Sequence, residues 1–225
     1  MQFSRSSGSR FYKRLFLVGV EGTRTERDYF SMFSSRYVHV IPVPSRGGNN
    51  PGKVLATLKA EIPHCQLREG DYLWLVVDRD EWPESEIEAC RRWAVDPGES
   101  PGQIKGFSLS NPKFEFWLLL HFEDGTRHTT AKACYEALRE YLTDYSKSLN
   151  RGDFDRTKID LACARAKALL GTADPADWPR SPGQTTVFTL CEAIRRVDEE
   201  EQRKLMSEFM EDETGLTVQS REEKL

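Results

Sequence analysis

The sequence is poor in the features that fix small extracellular folds or anchor a chain in a membrane. It has five cysteines in 225 residues, spaced far apart and without a CxxC pair, which argues against a disulfide framework and against a zinc site. No apolar run reaches the length of a membrane-spanning helix. Residues 1–14 are polar and basic, whereas a signal peptide has an apolar stretch. We therefore expect a cytoplasmic protein with reduced thiols and no membrane association.

The chain also lacks a strong charge of either sign. It has 32 Lys and Arg against 36 Asp and Glu, a net charge of −4. The basic segment 1–13 and the acidic segment 198–225 are expected to be solvated, flexible tails, with a short amphipathic helix around Leu205, Phe209 and Met210 as the alternative in the second. The rest of the chain is nearly neutral. A nearly neutral body exerts no general attraction on nucleic acid, so such binding must come from a local patch, the basic arm or a bound metal.

Apolar runs that alternate with amphipathic periodicity predict an α/β fold. Strands are predicted at 15–20, 37–43, 72–78 and 104–109. Helices are predicted between them at about 26–36, 53–62 and 83–94. This order is typical of a mostly parallel sheet flanked by helices, with right-handed crossovers.

From residue 111 onward the pattern changes and predicts mainly helices. Their expected positions are roughly 112–122, 130–142, 157–170 and 184–197. We accordingly divide the chain into an α/β core, 14–110, and a helical C-terminal extension, 111–197, that packs on the same core.

The most informative stretch runs from Tyr72 to Val77, because it is apolar throughout and ends at two aspartates, Asp78 and Asp80. Such a run is typical of a strand buried on both faces of a parallel sheet. Residues i and i+2 of a strand point to the same side, so both carboxylates are expected at the carboxyl edge, where open α/β sheets bind ligands. Paired carboxylates repel each other unless a cation lies between them, and oxygen ligands favour Mg²⁺ or Mn²⁺. The alternative is a pair of ordinary turn acids.

A third acid, Glu21, directly follows the first predicted strand and is expected at the same edge as the two aspartates. Gly22 beside it allows a sharp turn and leaves room for a substrate. Carboxylates at a metal site serve as ligands or as general bases in phosphoryl transfer, so Glu21 is a candidate for both roles unless it is an exposed turn residue. Glu26 is a further candidate, although Thr23-x-x-Glu26 also fits a helix-capping box.

The segment 110–122 predicts a buried helix capped by Asn111, with Pro112 at its first position. Its apolar residues cover nearly the whole circumference, so a carboxylate at Glu115 needs a partner or a metal. Glu115 is therefore either a further ligand or acid/base group, or an acid that complements the helix dipole. His121 fits a hydrogen-bonded core histidine better than a metal ligand.

Residues 47–53 match the GxxxxGK pattern of a nucleotide-binding P-loop, between a predicted strand and a predicted helix. The match is incomplete, because Val54 replaces the Ser/Thr that binds Mg²⁺ and Pro51 removes a backbone donor. A P-loop-like nucleotide-binding protein is the second interpretation of the chain. Arg46 and Lys53 are also candidates to bind a substrate phosphate, with an ordinary flexible loop as the alternative.

Several motifs, in consistent order over roughly residues 14–197, together resemble the RloB-like proteins. They are VGVEGTRTERDYF at 18–30, VDRD at 77–80, SNPxFExWLLLHF at 110–122, Tyr145-x-Lys147, and PGQTTV at 182–187. A set of motifs in order is more specific than any one of them.

The resemblance implies a Toprim-type core with a Mg²⁺-dependent nuclease role, of a kind often encoded beside an ATPase in bacterial restriction or abortive-infection loci against phage. It implies Glu21 as the Toprim glutamate, Asp78 and Asp80 as the metal aspartates, and Glu115 as an additional acid. Lys147 would be a candidate phosphate contact, for which a solvated loop lysine is the alternative.

The combined hypothesis is a nuclease that acts on DNA or RNA. One or two Mg²⁺ or Mn²⁺ ions held by Asp78, Asp80 and either Glu21 or Glu115 would position a phosphodiester, with Glu21 as general acid/base. Besides the P-loop-like protein, the other alternative is a catalytically inactive Toprim-like adaptor that serves an ATPase partner. The sequence leaves monomer and homodimer open.

Overall fold

The structure is a computed structural model that describes residues 12–98, 100–142, 145 and 149–222. These residues form one sheet with helices on both faces. Within these residues the sheet has five strands: β1 Arg14–Val20, β2 Val38–Pro44, β3 Tyr72–Asp78, β4 Ile104–Asn111 and β5 Gln184–Thr185. The same residues form seven α-helices: α1 Thr25–Ser31, α2 Pro51–Glu61, α3 Glu84–Val95, α4 Phe114–Leu119, α5 Ala131–Tyr141, α6 Arg156–Leu170 and α7 Phe188–Glu222. Short 3-10 helices lie at Ile62–His64 and Arg151–Asp153.

The strand order across the sheet is β2-β1-β3-β4-β5. The first four strands pair in parallel, and only β5 is antiparallel within the described sheet. Parallel neighbours need crossover connections, which α1, α2 and α3 supply. The predicted α/β class with a mostly parallel, helix-flanked sheet is confirmed, and the architecture is consistent with a Toprim-like fold.

Strand β3 shows why a continuously apolar run suits the middle of this sheet. Trp74 and Val76 point into the core shared with α1 and the helices from α4 onward. Leu73 and Leu75 point into the opposite core, which α2 and α3 cover. Both faces are therefore buried, and each fully buried side chain of this kind contributes about 1.5–3 kcal/mol of hydrophobic stabilisation. Polar residues at alternate positions would leave one face without a core.

A glycine and an indole fix the pairing of β3 with β4. The Trp74 ring lies against Gly106, its register partner on β4, and a Cβ at that position would overlap the ring. The ring Nε1 donates to Ser108 Oγ at 2.9 Å. The close approach of ring and backbone thus needs a residue without a side chain at position 106.

The helix predicted to start at Pro112, with Asn111 as its cap, begins instead after Lys113, so the predicted cap is wrong. Asn111 is the last residue of β4 and pairs with Gln184. Its side-chain Nδ2 donates to the carbonyls of Pro179 and Arg180, both at 3.2 Å. Because its amide binds the incoming chain of the last strand, it does not cap the helix.

The last strand was not predicted, because two residues give no periodic pattern. Residues 184–185, expected as the start of a helix, pair with β4 instead, and Thr185 Oγ1 lies 3.0 Å from Ser110 Oγ. Helix α7 begins at Phe188 and continues past the predicted end at Val197 to Glu222. Segment 198–222, expected as a tail, is therefore helical in the structure.

None of the helices in the described ranges combines the length and the apolar character that crossing a bilayer requires. Of the predicted N-terminal tail, residues 1–11 lie outside the described part of the chain. The division into a core and a helical extension stays a prediction.

Candidate active site

A cleft of about 320 Å³ opens at the carboxyl edge of the sheet, where β1 and β3 end. It brings together four of the acids that the sequence singles out, although they are far apart in the chain. Its lining consists of Glu21, Gly22, Thr23, Arg24, Thr25, Glu26, Asn49, Asp78, Lys113 and Glu115. This edge is where parallel α/β sheets bind ligands, so the cleft is the candidate functional site.

Glu21 follows the last residue of β1 and reaches across to the neighbouring strand. Its Oε1 accepts a hydrogen bond from the backbone N–H of Asp78 at 2.8 Å. The pKa of Glu21 is raised to about 8, mainly by burial and also by the charges of Glu26 and Asp80, against the lowering effect of the Asp78 N–H and of Lys113. The Glu21 carboxylate is thus held in place but not fully compensated.

Asp78 is the last residue of β3 and is only 8% exposed. No hydrogen bond or ion pair from the described residues reaches its carboxylate. Burial raises its pKa well above the ordinary value, and the charges of Glu21, Glu26, Glu115 and Asp80 act in the same direction. A buried carboxylate among other acids is unfavourable in its charged form unless a cation joins it.

Glu26 lies in the first turn of α1 and is buried, with 7% of its surface exposed. Its Oε1 accepts from the backbone N–H of Gly22 at 2.9 Å, and a Cβ at Gly22 would overlap the Glu26 carboxylate. The capping box with Thr23, the alternative to a functional role of Glu26, does not form, because the helix N-cap is Arg24 and no side-chain cap bond is made there. Glu26 instead closes the turn that follows β1.

Asp80 differs from the expectation that it points the same way as Asp78 from a continuing strand. The strand ends at Asp78, and Asp80 has a positive φ of 34° in the turn that follows, so strand alternation does not extend to it. Its Oδ1 lies 3.2 Å from Lys113 Nζ. Burial lowers the pKa of Lys113, but the hydrogen bond and charge of Asp80 outweigh this and hold the pKa above the ordinary value.

Glu115 lies in the first turn of α4, whose other residues are all buried, as predicted. It lines the cleft, and its Oε1 accepts a hydrogen bond from Tyr145 Oη at 3.3 Å. The same Tyr145 hydroxyl is 3.5 Å from Thr25 Oγ1. Tyr145 therefore connects the two sides of the cleft, a role that the sequence motif containing it did not reveal.

The donor set fits a hard divalent cation in its chemistry but not yet in its geometry. In the part of the chain described, no group of three or more His, Cys, Asp or Glu side chains is arranged to hold a metal ion. Carboxylate oxygens are nevertheless the ligands that Mg²⁺ and Mn²⁺ prefer, and the unbonded Asp78 carboxylate calls for positive charge. To join it, Asp80 would leave Lys113, whereas Glu21 can keep the Asp78 N–H on Oε1 and use its second carboxylate oxygen.

The basic candidates of the glycine-rich loop have partners outside the acidic cluster. Arg46 Nη2 is 3.3 Å from Glu61 Oε2, and the Lys53 ammonium is bonded to the carbonyl of Gly47. Asn50 caps α2 by accepting from the Lys53 N–H at 2.8 Å. Lys147 lies outside the described residues. Their predicted phosphate contacts stay predictions.

His121 belongs to the core and does not line the cleft. It is 2% exposed, its Nε2 lies 3.0 Å from Tyr29 Oη, and its Nδ1 faces the carbonyls of Trp117 and Leu118 at 3.1 Å. Because Nδ1 donates to carbonyls, Nε2 accepts from the tyrosine hydroxyl and the ring is neutral. Burial lowers its pKa to about 3.

A larger hollow of about 470 Å³ lies between the end of α1 and helices α6 and α7. Apolar side chains such as Phe33 and Ile159 line it, together with charged residues of which Arg195 and Asp160 form an ion pair. None of the predicted site residues that the structure describes lies there. The acidic cleft is therefore the candidate site, although it is the smaller of the two.

The fold and the cleft define an α/β protein with a group of acids at the carboxyl edge of its central parallel strands. The sequence model of one protein family, described as RloB-like protein, matches residues 16–194. The chain belongs to the RloB-like family. Searches of curated proteins and of solved structures found no match.

Proposed function

We propose that this protein is a Mg²⁺-dependent nuclease that cleaves phosphodiester bonds in the acidic cleft. The observation that carries the proposal is the Asp78 carboxylate, buried beside three other acids without a bonding partner in the described part of the chain. Acids gathered in this way at a ligand-binding edge are typical of sites that hold divalent cations. Membership of the RloB-like family supports the same function.

Asp78 is the proposed principal ligand, with Asp80 and either Glu21 or Glu115 completing the site. A divalent cation there would supply Lewis-acid stabilisation of the charge that develops on the phosphate. Mn²⁺ is expected to replace Mg²⁺, because both prefer oxygen ligands.

Glu21 is the proposed general acid/base, since the Asp78 N–H fixes its carboxylate at the carboxyl ends of β1 and β3. It would take a proton from the attacking water as the water oxygen bonds to phosphorus. The ester P–O bond breaks, and the leaving oxygen takes up a proton from Glu21 or from solvent water. Arg24, which lines the cleft, and the predicted contacts Arg46, Lys53 and Lys147 would attract the phosphate backbone.

The proposed setting is bacterial anti-phage defence, with an ATPase as partner. Its support is membership of the RloB-like family. The nuclease would then act in a complex, and ATP turnover by the partner would control access of the nucleic acid to the cleft. Co-expression with a neighbouring ATPase, followed by size-exclusion chromatography, tests whether the two proteins form one complex.

The test of the activity is a cleavage assay with single-stranded DNA, double-stranded DNA and tRNA, in Mg²⁺, in Mn²⁺ and in EDTA. We expect metal-dependent cleavage by the wild type and a loss of roughly a hundredfold or more in Asp78→Asn. Asp174→Asn is the matched control, because Asp174 is an exposed acid in the loop after α6.

Two other results would assign a different function. A wild type that cleaves none of the substrates with either metal, alone and with the ATPase partner, would favour the adaptor. ATP binding that depends on Lys53 and not on Asp78 would favour the P-loop-like interpretation.

A further inference from the structure

Lys113 is a cation built into the group of acids, at a position that the sequence motifs left unassigned. It is the N-cap residue of α4, directly after the turn that leaves β4. Its side chain lines the same cleft as Glu21, Asp78 and Glu115. Its Nζ lies 3.2 Å from Asp80 Oδ1.

The charge of Lys113 acts on the whole group of acids and not on Asp80 alone. It opposes the effects that raise the pKa of Glu21, and it interacts with Asp78 and Glu115 as well as with Asp80. The lysine therefore offsets part of the negative charge that several acids bring to the cleft.

The Lys113 side chain is placed so that it can move. It is 38% exposed, and a lysine is a compact charge on a flexible four-carbon stem. A partly exposed ion pair of this kind is weak, on the order of 1 kcal/mol, so a divalent cation can compete for the same carboxylate. The ammonium would then be free to meet a phosphate oxygen at the mouth of the cleft.

We propose that Lys113 competes with the divalent cation for Asp80 and, once displaced, contacts the phosphate of the substrate. This inference rests on the proposed metal-dependent nuclease function. It makes opposite predictions for the two steps. Removing the ammonium should strengthen metal binding, because a competitor and a like charge are gone, and should weaken cleavage, because the phosphate loses a contact.

The first experiment is a Mg²⁺ titration of the full-length chain, followed by thermal unfolding. In Lys113→Met we expect the Mg²⁺ concentration at half-maximal stabilisation to fall roughly tenfold below that of the wild type. Lys113→Arg keeps the charge and should stay within about twofold of the wild type. Lys132→Met is the matched control, because Lys132 is an exposed lysine on α5.

The second experiment measures the rate of cleavage at saturating Mg²⁺, where differences in metal affinity between the variants no longer affect the rate. Lys113→Met should cleave roughly tenfold more slowly, with the loss mainly in KM, whereas Lys132→Met should match the wild type. A residue that only stabilises the fold would not tighten metal binding while slowing cleavage.

The outcomes separate this inference from the proposed function. Suppose that the wild type binds Mg²⁺ and cleaves, but that the Mg²⁺ concentration at half-maximal stabilisation of Lys113→Met is unchanged or higher. The role of Lys113 is then overturned, and the proposed nuclease function is retained. If that Mg²⁺ concentration falls but Lys113→Met cleaves as fast as the wild type at saturating metal, the proposed contact of Lys113 with the phosphate is overturned. If the wild type neither binds Mg²⁺ nor cleaves, both proposals fail.

Discussion

The carboxylate of Glu21 and the backbone N–H of Asp78 form a hydrogen bond of 2.8 Å across the ends of β1 and β3. The two strands are neighbours in the sheet, with Val20 paired to Val76. The bond therefore fixes an acid of one strand beside the unbonded carboxylate of the next. Parallel pairing alone places the two residues at one edge, whereas this bond orients the glutamate.

Replacement of Asp78 by Asn should stabilise the metal-free protein at neutral pH. Burial and four neighbouring acids raise the pKa of Asp78, so its charged form is unfavourable in the folded state, and a neutral amide removes that cost. We expect a gain of about 0.5–2 kcal/mol in the free energy of unfolding. Chemical denaturation in EDTA measures it, with Asp174→Asn as the control.

The same substitution should abolish stabilisation by Mg²⁺. A ligand that binds only the folded state stabilises it by about 1.4 kcal/mol at ten times its Kd, and the variant should lose this gain. A variant that is less stable than the wild type in EDTA, or that responds equally to Mg²⁺, would show that Asp78 is a structural acid.

Replacement of Gly22 by Ala tests the turn after β1. A Cβ there would overlap the Glu26 carboxylate, so the variant should displace Glu26 from the Gly22 N–H and lose about 1–3 kcal/mol of stability. Cleavage should also fall, since the turn carries Glu21. Unfolding and cleavage are measured together.

Gly152 offers the comparison for that substitution, because a Cβ at this position meets no atom within 4 Å. Gly152→Ala should change the free energy of unfolding by no more than about 1 kcal/mol. Equal changes in the free energy of unfolding for the two substitutions would mean that the close approach of Glu26 to Gly22 does not contribute to stability.

His121 should make the fold sensitive to acid. Its pKa is about 3 in the folded protein, against 6.5 for an ordinary histidine, so the unfolded chain takes up a proton that the folded protein does not. The contribution of neutral His121 is complete above pH 6.5 and is lost as the pH falls toward 3. At pH 4 the loss amounts to about 3 kcal/mol.

Comparison with His121→Gln isolates this effect from the carboxylates, which titrate in both proteins. The free energy of unfolding of the wild type should fall relative to that of the variant as the pH is lowered from 7 to 4. A difference that stays constant over this range would contradict a neutral, buried His121.

Tyr145→Phe tests whether the tyrosine holds Glu115 in the cleft. Loss of the hydrogen bond from the Tyr145 hydroxyl to Glu115 should cost about 0.5–1.5 kcal/mol of stability and slow cleavage several-fold. Tyr141→Phe is the matched control, because it removes an exposed 3.0 Å bond to Glu123, away from the cleft. Equal cleavage rates of the two variants would rule out this role.

The order of the elements and the position of the acids could be predicted from the sequence because both follow from local patterns. The apolar run before Asp78 identified a strand buried on both faces, and parallel strands place Glu21 and Asp78 at one edge. The residue types that follow the strands then predicted an acidic site. None of these inferences needed long-range information.

What sequence analysis missed depends on contacts between distant segments. The pairing of β5 with β4 places Asn111 against residues 179–180, so α4 begins later than predicted. Lys113, just before this helix, lies beside Asp80. The positive φ of Asp80 likewise could not be predicted, because the spacing of Asp78 and Asp80 alone suggested that the strand continues. Tyr145 reaches Glu115 from 30 residues away, so its role was visible only in the folded chain.

Diffraction from crystals soaked in Mn²⁺ tests the central claim most directly, because the anomalous signal locates the ion without reference to activity. The account predicts a peak in the cleft within bonding distance of the Asp78 carboxylate, with Asp80 turned from Lys113 and with Glu21 or Glu115 as a further ligand. A fully soaked crystal without a peak in the cleft, or with its peak away from Asp78, would contradict it.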